Sequence, residues 1–454
     1  MKIALAHFRV GETDGVSLEM EKWKLIFERM GHEVVFLAGS EGLTESFIIE
    51  ELHYKHPIND RIVENAYDNL KDYPDEDSLK KEILDFSHKI EQKLLNFIQN
   101  EEIDVMIPNN IWSLGWGLPA GIAFSNAAKK SGIKFVAHHH DFHWERERYS
   151  HPTCSFIQEY LEEFFPPNLD NISHVVINHI AKEELEKRKG IIATVVPNVF
   201  NFEGDAWKAD EYNQDFRKSI DVGEDDILVL QATRITERKA IELGIEVVGE
   251  LQNADHQNEL KQLYNGKSFS ENSKIVYVLA GLPESTPQYL EHLKNKAENL
   301  GVDIRFVNDK IDHSRRIENN EKVYSLWDAY VFSDLVTYPS ILEGWGNQLL
   351  EAVFAKKPLV VYEYPVYLTD IQDKGFSFIS LGDKHTINNQ GLVEIQNERV
   401  VSAGLKASQI LSDEKLYKDE TENNFEIAKK YYSYEALYRY LHSLPIFNKA
   451  AMPL

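Results

Sequence analysis

The chain reads as an α/β protein built from two domains, each a parallel β-sheet covered on both faces by helices. Three observations predict this. Its 454 residues exceed what one core usually supports. Short, near-continuous apolar runs alternate with helical stretches, the pattern of strands buried on both faces. That series occurs twice, and its second half holds a glycine-rich turn between a strand and a helix.

The elements follow in order. Lys2–Phe8 is the opening strand. Val16, Met20, Trp23, Phe27 and Met30 then mark one buried helix face, which Gly31 ends. Glu33–Leu37 is the next strand. Residues 40–102 are polar, with helical spacing in Ile83, Phe86, Ile90, Leu94 and Phe97. This is more chain than a simple α/β connection needs and is read as a helical cap over a cleft. Strands recur at Asp104–Ile107, Ile133–His139, His174–Ile177 and Thr194–Val196. A polar linker is expected over 202–225. The second series comprises Ile227–Gln231, Ile275–Leu279, Ile304–Val307, Asp334–Tyr338 and Leu359–Tyr362, with helices from near Lys239 and around Pro287–Leu300. The acidic stretch near 251–272 reads as a mobile surface insertion, and Tyr431–Leu444 as a closing helix.

Composition narrows the function. Apolar residues make up 43% and aromatics 11%, ample for packed cores. Lys and Arg number 49 against 74 Asp and Glu, a net charge of −25. That argues against nucleic acid or an anionic membrane surface as partner, while leaving room for local phosphate pockets. Cys154 is the sole cysteine, so no intrachain disulfide is possible, and a lone cysteine is more often inert than catalytic. The opening strand leaves no room for a signal peptide, and no apolar run reaches the roughly 18 residues of a span. A soluble, cytoplasmic protein is expected.

The most informative stretch is Glu343-Gly344-Trp345-Gly346-Asn347-Gln348-Leu349-Leu350-Glu351. Strand, glycine turn, then helix is how an α/β protein presents backbone N–H groups to a phosphate. The two carboxylates would repel that phosphate unless they face hydroxyl groups on either side of it. Diphosphate in the middle with a sugar at each end describes a nucleotide sugar. After the strand Ile227–Gln231, Arg234 and Lys239 could supply two cations to one diphosphate, a planar fork and a mobile point charge. Taken alone they would read as ordinary surface cations.

Arg-x4-Lys followed by Glu-x7-Glu around a glycine turn resembles the retaining glycosyltransferases of family 4. Other landmarks agree in order: Gly15, Gly31-His32-Glu33-Val34, His140-Asp141, Val196-Pro197-Asn198, Tyr338-Pro339-Ser340 and Tyr432-Ser433-Tyr434-Glu435. The resemblance covers most of the chain and implies the GT-B fold, two Rossmann-like domains facing each other across a cleft. It implies an acceptor-side domain over 1–201, a nucleotide-sugar domain over 202–425, and a terminal helix within 426–454 that crosses back. It assigns donor phosphates to Arg234, Lys239 and the amides around Gly346 to Gln348, within a donor-binding stretch of Gly344, Trp345, Gly346, Asn347, Gln348 and Leu349. Glu343 takes the transferred sugar's hydroxyls and Glu351 the ribose. Gly15 lies where a side chain would obstruct phosphate or acceptor, and His140 lies near the reacting sugar. The donor is then a UDP- or GDP-sugar, with no further cofactor and no metal required.

The run His138-His139-His140-Asp141-Phe142-His143 also invites a metal reading. Alternation along a strand sends His138 and His140 one way and His139 the other, which makes a three-ligand cluster awkward. Arg146 and Arg148 either pair with Glu145 and Glu147 or hold an anionic acceptor with their guanidinium forks. Trp112 and Trp116 either stack on a sugar ring or pack in the core. The sequence departs from the family at Glu363-Tyr364-Pro365-Val366-Tyr367, where a glycine pair is usual, at Trp345 for Phe, and at Ala240 for Gly. The expected activity is transfer of a hexose, with retention, to a small soluble and anionic acceptor. A GT-B glycoside phosphorylase, a silent nucleotide-sugar-binding protein and a metal hydrolase are the rivals.

Overall fold

The computed structural model describes residues 1–11, 15–253 and 260–447. The chain divides into two units, Met1–Asn198 with Tyr434–Leu454, and Val199–Ser433. In the first, the apolar runs become β1 (Lys2–Ala6), β2 (Glu33–Ala38), β3 (Phe47–Ile48), β4 (Val105–Pro108), β5 (Lys134–His139), β6 (Ile172–Val176) and β7 (Ala193–Val195). They pair in the order β3-β2-β1-β4-β5-β6-β7, every pair parallel. Ile3, Ala4, Leu5 and Ala6 are all buried because helices cover both faces of the sheet. The helix Gly15–Arg29 buries Met20, Trp23 and Phe27, as their spacing predicts.

The region 40–102 forms helices Pro57–Tyr67 and Glu76–Asn100. Asp75 caps the second by accepting the Ser78 N–H at 2.8 Å. Its predicted stripe, Ile83 to Phe97, is buried in the core of the first unit, against helix Leu118–Ser131. The expected cap is therefore a core layer of that unit, because its apolar face has the sheet-covering helix to bury against.

The second unit contains β8 (Ile227–Gln231), β9 (Ile275–Leu279), β10 (Asp303–Phe306), β11 (Ile311–Asp312), β12 (Arg316–Glu318), β13 (Glu321–Ser325), β14 (Leu335–Tyr338), β15 (Leu359–Val361) and β16 (Ile379–Ser380). Its main sheet runs β10-β9-β8-β14-β15-β16, all parallel. The order reverses between β8 and β14, so the loops leaving these strands diverge and open a crevice at their carboxyl ends. Beneath it, the buried Gln231 side chain accepts through Oε1 the hydroxyls of Tyr277 at 2.5 Å and Thr337 at 3.0 Å, which ties β8, β9 and β14 together.

Two sequence expectations need correction here. Residues 202–225 are no free linker. Arg217, on the short helix Phe216–Ser219, is buried and donates to the carbonyls of Gly223 at 2.9 Å and Phe332 at 3.0 Å. It also lies 3.4 Å from Asp334, which accepts the Leu228 N–H at 2.8 Å and the Tyr264 hydroxyl at 3.0 Å. Polar residues that read as solvated are thus a satisfied buried network. Of the supposed mobile insertion, 254–259 lie outside the described residues. The rest is anchored, with Leu260 and Leu263 buried and Tyr264 stacked on Tyr417 at 3.7 Å.

The helix Glu414–Tyr432 ends at the buried Ser433, and the helix Tyr434–Ser443 belongs to the first unit. It packs on helix Gly15–Arg29, with the Arg29 guanidinium 5.7 Å from the centre of the Tyr434 ring. Phe27 meets Phe447 at 4.8 Å. Among the described residues no helix is long and apolar enough to cross a membrane.

Candidate active site

In the second unit, the loop after β14 enters helix Asn347–Phe354 through Gly346, whose φ of 151° suits glycine alone. A Cβ there would run into the Tyr364 hydroxyl, which donates to the Trp345 carbonyl at 2.6 Å. The aromatic departure at 363–367 is therefore a buttress: Tyr364 is fully buried under the turn, and Glu363 accepts the Ser380 hydroxyl at 2.6 Å. Trp345 is buried too, edge-on to Tyr432 at 5.3 Å.

Gly344 through Leu349 thus carry the chain into the positive end of a helix dipole at the sheet's reversal. Leu349 has its side chain in the core and its N–H on the Gly346 carbonyl at 3.0 Å. One turn on from Asn347, Glu351 accepts the Tyr330 hydroxyl at 3.0 Å, and that hydroxyl also lies 3.4 Å from the Gln348 carbonyl.

The loop after β8 supplies the cations. A short turn, Glu237–Lys239, leads through Ala240 in the left-handed region (φ 44°, ψ 50°) into helix Ile241–Leu251. Lys239 has a side chain only 4% exposed, its ammonium on Oε1 of Glu343 and 5.5 Å from the centre of the Tyr338 ring. Arg238 occupies the other oxygen. Its Nη1 donates to Glu343 Oε2 at 2.9 Å and to the Leu342 carbonyl at 3.0 Å, while its own carbonyl accepts the Ile341 N–H at 3.0 Å.

Glu343 is thus a buried carboxylate held between two cations. Burial pushes its carboxyl up, but Lys239 and Arg238 more than offset this and hold it below the usual range. Burial pulls the Lys239 ammonium below its ordinary value despite the opposing pull of Glu343. Arg234 does not join them: its side chain is 55% exposed and pairs with Glu284 at 2.7 Å. Arg238 is a site residue that the motif spacing does not single out, although an arginine directly before the key lysine is a readable signal.

In the first unit, β5 delivers the histidine run. Alternation holds. His138 stacks on Trp23 at 4.1 Å with Nδ1 2.8 Å from Asn109 Oδ1. His139 faces away, with Nδ1 2.7 Å from Ser113 Oγ and Nε2 3.1 Å from His174 Nδ1. Burial drives both far below the ordinary imidazole range, so both are neutral. His140 follows at the strand's carboxyl end, its ring 4.4 Å from His138 and its N–H on Asn110 Oδ1 at 2.8 Å. Among the described residues no group of three or more His, Cys, Asp or Glu side chains converges as a metal site. Cys154 is buried.

Neither arginine of the following loop pairs with its neighbouring glutamates. Arg146 donates to Asp141 through Nε at 3.1 Å, and Arg148 lies 3.2 Å from Asp68; both side chains are more than half exposed. Trp112 is a correction. It is 1% exposed, its indole N–H donates to the Gly121 carbonyl at 2.9 Å, and it packs against Phe124 and Phe135. A ring so enclosed has no face to offer a sugar. Trp116 is only partly buried, against Tyr54 and Phe8. At Gly15 a Cβ would meet none of the described residues within 4 Å, so their packing does not demand the glycine there.

Residues 213–426 match the family model for glycosyl transferases group 1. The match spans Arg234 to Lys239 and Glu343 to Glu351 and leaves the first unit outside. Over 413 residues the chain is 41% identical to the mannosylglucosylglycerate synthase of Petrotoga mobilis, covering 91% of this chain and 94% of that protein. Identity to the protein of that name from Thermotoga maritima is 40% over 439 residues, 96% of this chain and 98% of the relative. The chain belongs to the group 1 glycosyltransferases. A solved glycosyltransferase from Rickettsia africae superposes with a TM-score of 0.61 at 13% identity, covering 99% of this chain and 98% of that one. The enzyme has the GT-B fold, two Rossmann-like parallel-sheet units.

Proposed function

We propose that this glycosyltransferase moves a mannosyl group, with retention of configuration, from a GDP- or UDP-linked donor to glucosylglycerate or a closely similar small anionic acceptor. The observation that carries the reading is the Lys239–Glu343–Arg238 bracket beside the Gly346 helix start, at the point where the sheet order reverses. The relatives' name supports the choice of sugar and acceptor.

On this reading the second unit holds the donor and the first the acceptor. Lys239, Arg234 and the helix start at 346–348 stabilise charge on the departing nucleoside diphosphate, where preorganised donors gain most. Glu343 accepts hydroxyl hydrogens of the transferred sugar, Glu351 those of the ribose, and His140 orients the sugar at its reacting carbon. Gly15 leaves room beside the phosphate. Arg146 and Arg148 meet the acceptor's carboxylate. The bond from the anomeric carbon to the phosphate oxygen breaks, and the acceptor oxygen bonds that carbon on the same face. The acceptor's proton passes to the leaving phosphate oxygen, so no protein nucleophile is needed. The reaction is placed in the cytoplasm, where nucleotide sugars are made.

The test offers GDP-mannose, UDP-glucose and UDP-mannose in turn with glucosylglycerate, glycerate or glucose, and with inorganic phosphate against the disaccharide product. Formation of an α-linked mannoside on glucosylglycerate, read by NMR of the anomeric proton, is the expected result. A β-linked product would refute retention. Release of a sugar phosphate without nucleotide would replace the reading by a phosphorylase.

A further inference from the structure

Glu343 has two carboxylate oxygens and two cationic partners. The two cations differ in their other ties. Lys239 Nζ has Glu343 and the face of Tyr338 as partners, on a flexible stem that can turn to a phosphate. Arg238 is fixed three times to the loop that bears Glu343: through its own carbonyl to the Ile341 N–H at 3.0 Å, and through Nη1 to the Leu342 carbonyl at 3.0 Å and to Glu343 Oε2 at 2.9 Å. A donor diphosphate competes for the lysine. It does not release the arginine from two backbone groups.

We infer that Arg238 is the positioning residue for Glu343 during the reaction: it keeps the carboxylate ionised and aimed at the transferred sugar once Lys239 has turned to the donor's diphosphate. This rests on the proposed role of Glu343 as the sugar-hydroxyl acceptor. The surroundings make such a partner necessary. The Glu343 side chain is only 10% exposed, and among the described residues the other titratable groups that face it, Tyr338 from β14 and Tyr364 from the loop after β15, are buried hydroxyls carrying no positive charge, while the Ser340 hydroxyl favours the ionised form only as a neutral donor. Arg234, the remaining nearby cation, is drawn to Glu284. Without Arg238, a carboxylate that shares Lys239 with a diphosphate would have burial pushing its proton affinity up and half of its cationic compensation gone.

The experiment uses the full-length enzyme and four variants, Arg238→Met, Arg238→Lys, Lys239→Met and Glu343→Gln. It measures kcat/KM across pH, binding of the bare nucleoside diphosphate, and binding of the intact nucleotide sugar. Arg238→Met is expected to move the acidic limb of kcat/KM upward by about one pH unit or more. It should weaken the intact nucleotide sugar about tenfold while changing the bare nucleoside diphosphate less than about threefold. Arg238→Lys should restore part of the pH profile, since it returns the charge without the fork.

Lys239→Met should differ, weakening both ligands alike. An unmoved acidic limb, or loss of the bare diphosphate equal to that of the sugar conjugate, would overturn the inference and make Arg238 either a structural residue or a phosphate ligand. The underlying reading fails separately, if Glu343→Gln turns over at the unmodified rate.

Discussion

Replacing Gly346 by alanine tests whether Tyr364 and the glycine turn form one device. At φ 151° and ψ 53° an alanine sits in territory that costs about 1–3 kcal/mol. Its methyl would also meet the Tyr364 hydroxyl, which must then leave the Trp345 carbonyl 2.6 Å away. An unpaired buried acceptor costs about 1–3 kcal/mol more. Gly346→Ala should therefore destabilise by about 2–6 kcal/mol, and Tyr364→Phe by about 1–3 kcal/mol, since it removes the same bond without the clash. In the double variant that bond is lost once, not twice, and the methyl gains space. The combined cost should fall short of the sum by about 1–3 kcal/mol. Urea unfolding of the four proteins, with nucleoside-diphosphate binding by calorimetry, measures both sides. Additivity within about 0.5 kcal/mol would refute the coupling. Undiminished nucleotide affinity in Gly346→Ala would refute the assignment of phosphate to this turn.

Other expectations concern charge. Arg234→Ala breaks an exposed pair, so stability should change by less than about 0.5 kcal/mol while kcat/KM falls about a hundredfold, as steady-state kinetics beside thermal unfolding would show. Arg217→Met removes a buried cation from Asp334 and from the carbonyls of Gly223, Asp226 and Phe332 and should cost about 3–5 kcal/mol in urea unfolding; a near-neutral result would return 202–225 to the status of a linker.

Burial brings His143, beside Lys189 and Arg188, and His174 down to about 4. Below pH 6.5 the unfolded chain takes up protons that the folded chain refuses, so stability is full above that pH and declines toward pH 4. Each histidine contributes up to roughly 3 kcal/mol to the decline. His143→Gln should flatten the measured stability–pH slope over that window.

The main sheets were legible because strands such as Ile227–Gln231 and Ile275–Leu279 are buried on both faces, which leaves them predominantly apolar apart from a satisfied group such as Gln231. The Glu343 turn and Lys239 were legible for a different reason: a glycine turn and paired charges carry chemistry in residue type and order alone. What the sequence hid was partnership. Arg217 and Asn213 look solvated until Asp334 and Asp328 are placed beside them, 3.4 Å and 2.8 Å away. Trp112 looks like a sugar platform until Phe124 and Phe135 enclose it. Arg238 was obscured by its own neighbour, because the motif draws the eye to Lys239. Tyr364 read as an intrusion, although its hydroxyl is what the Gly346 turn is built around.

The chain leaves the first unit at Asn198 and re-enters it at Tyr434, and this has a consequence for biosynthesis. As the ribosome emits the polypeptide from its N-terminus, the first seven strands emerge well before the segment that covers Phe27 and Arg29. Until Ala436, Leu437 and Leu441 arrive, helix Gly15–Arg29 holds an uncovered apolar strip. The continuous second unit has no such wait. A chain cut before residue 434 and released from the ribosome would therefore display a completed second unit tethered to an unfinished first one, and that strip is where a chaperone would find its handhold.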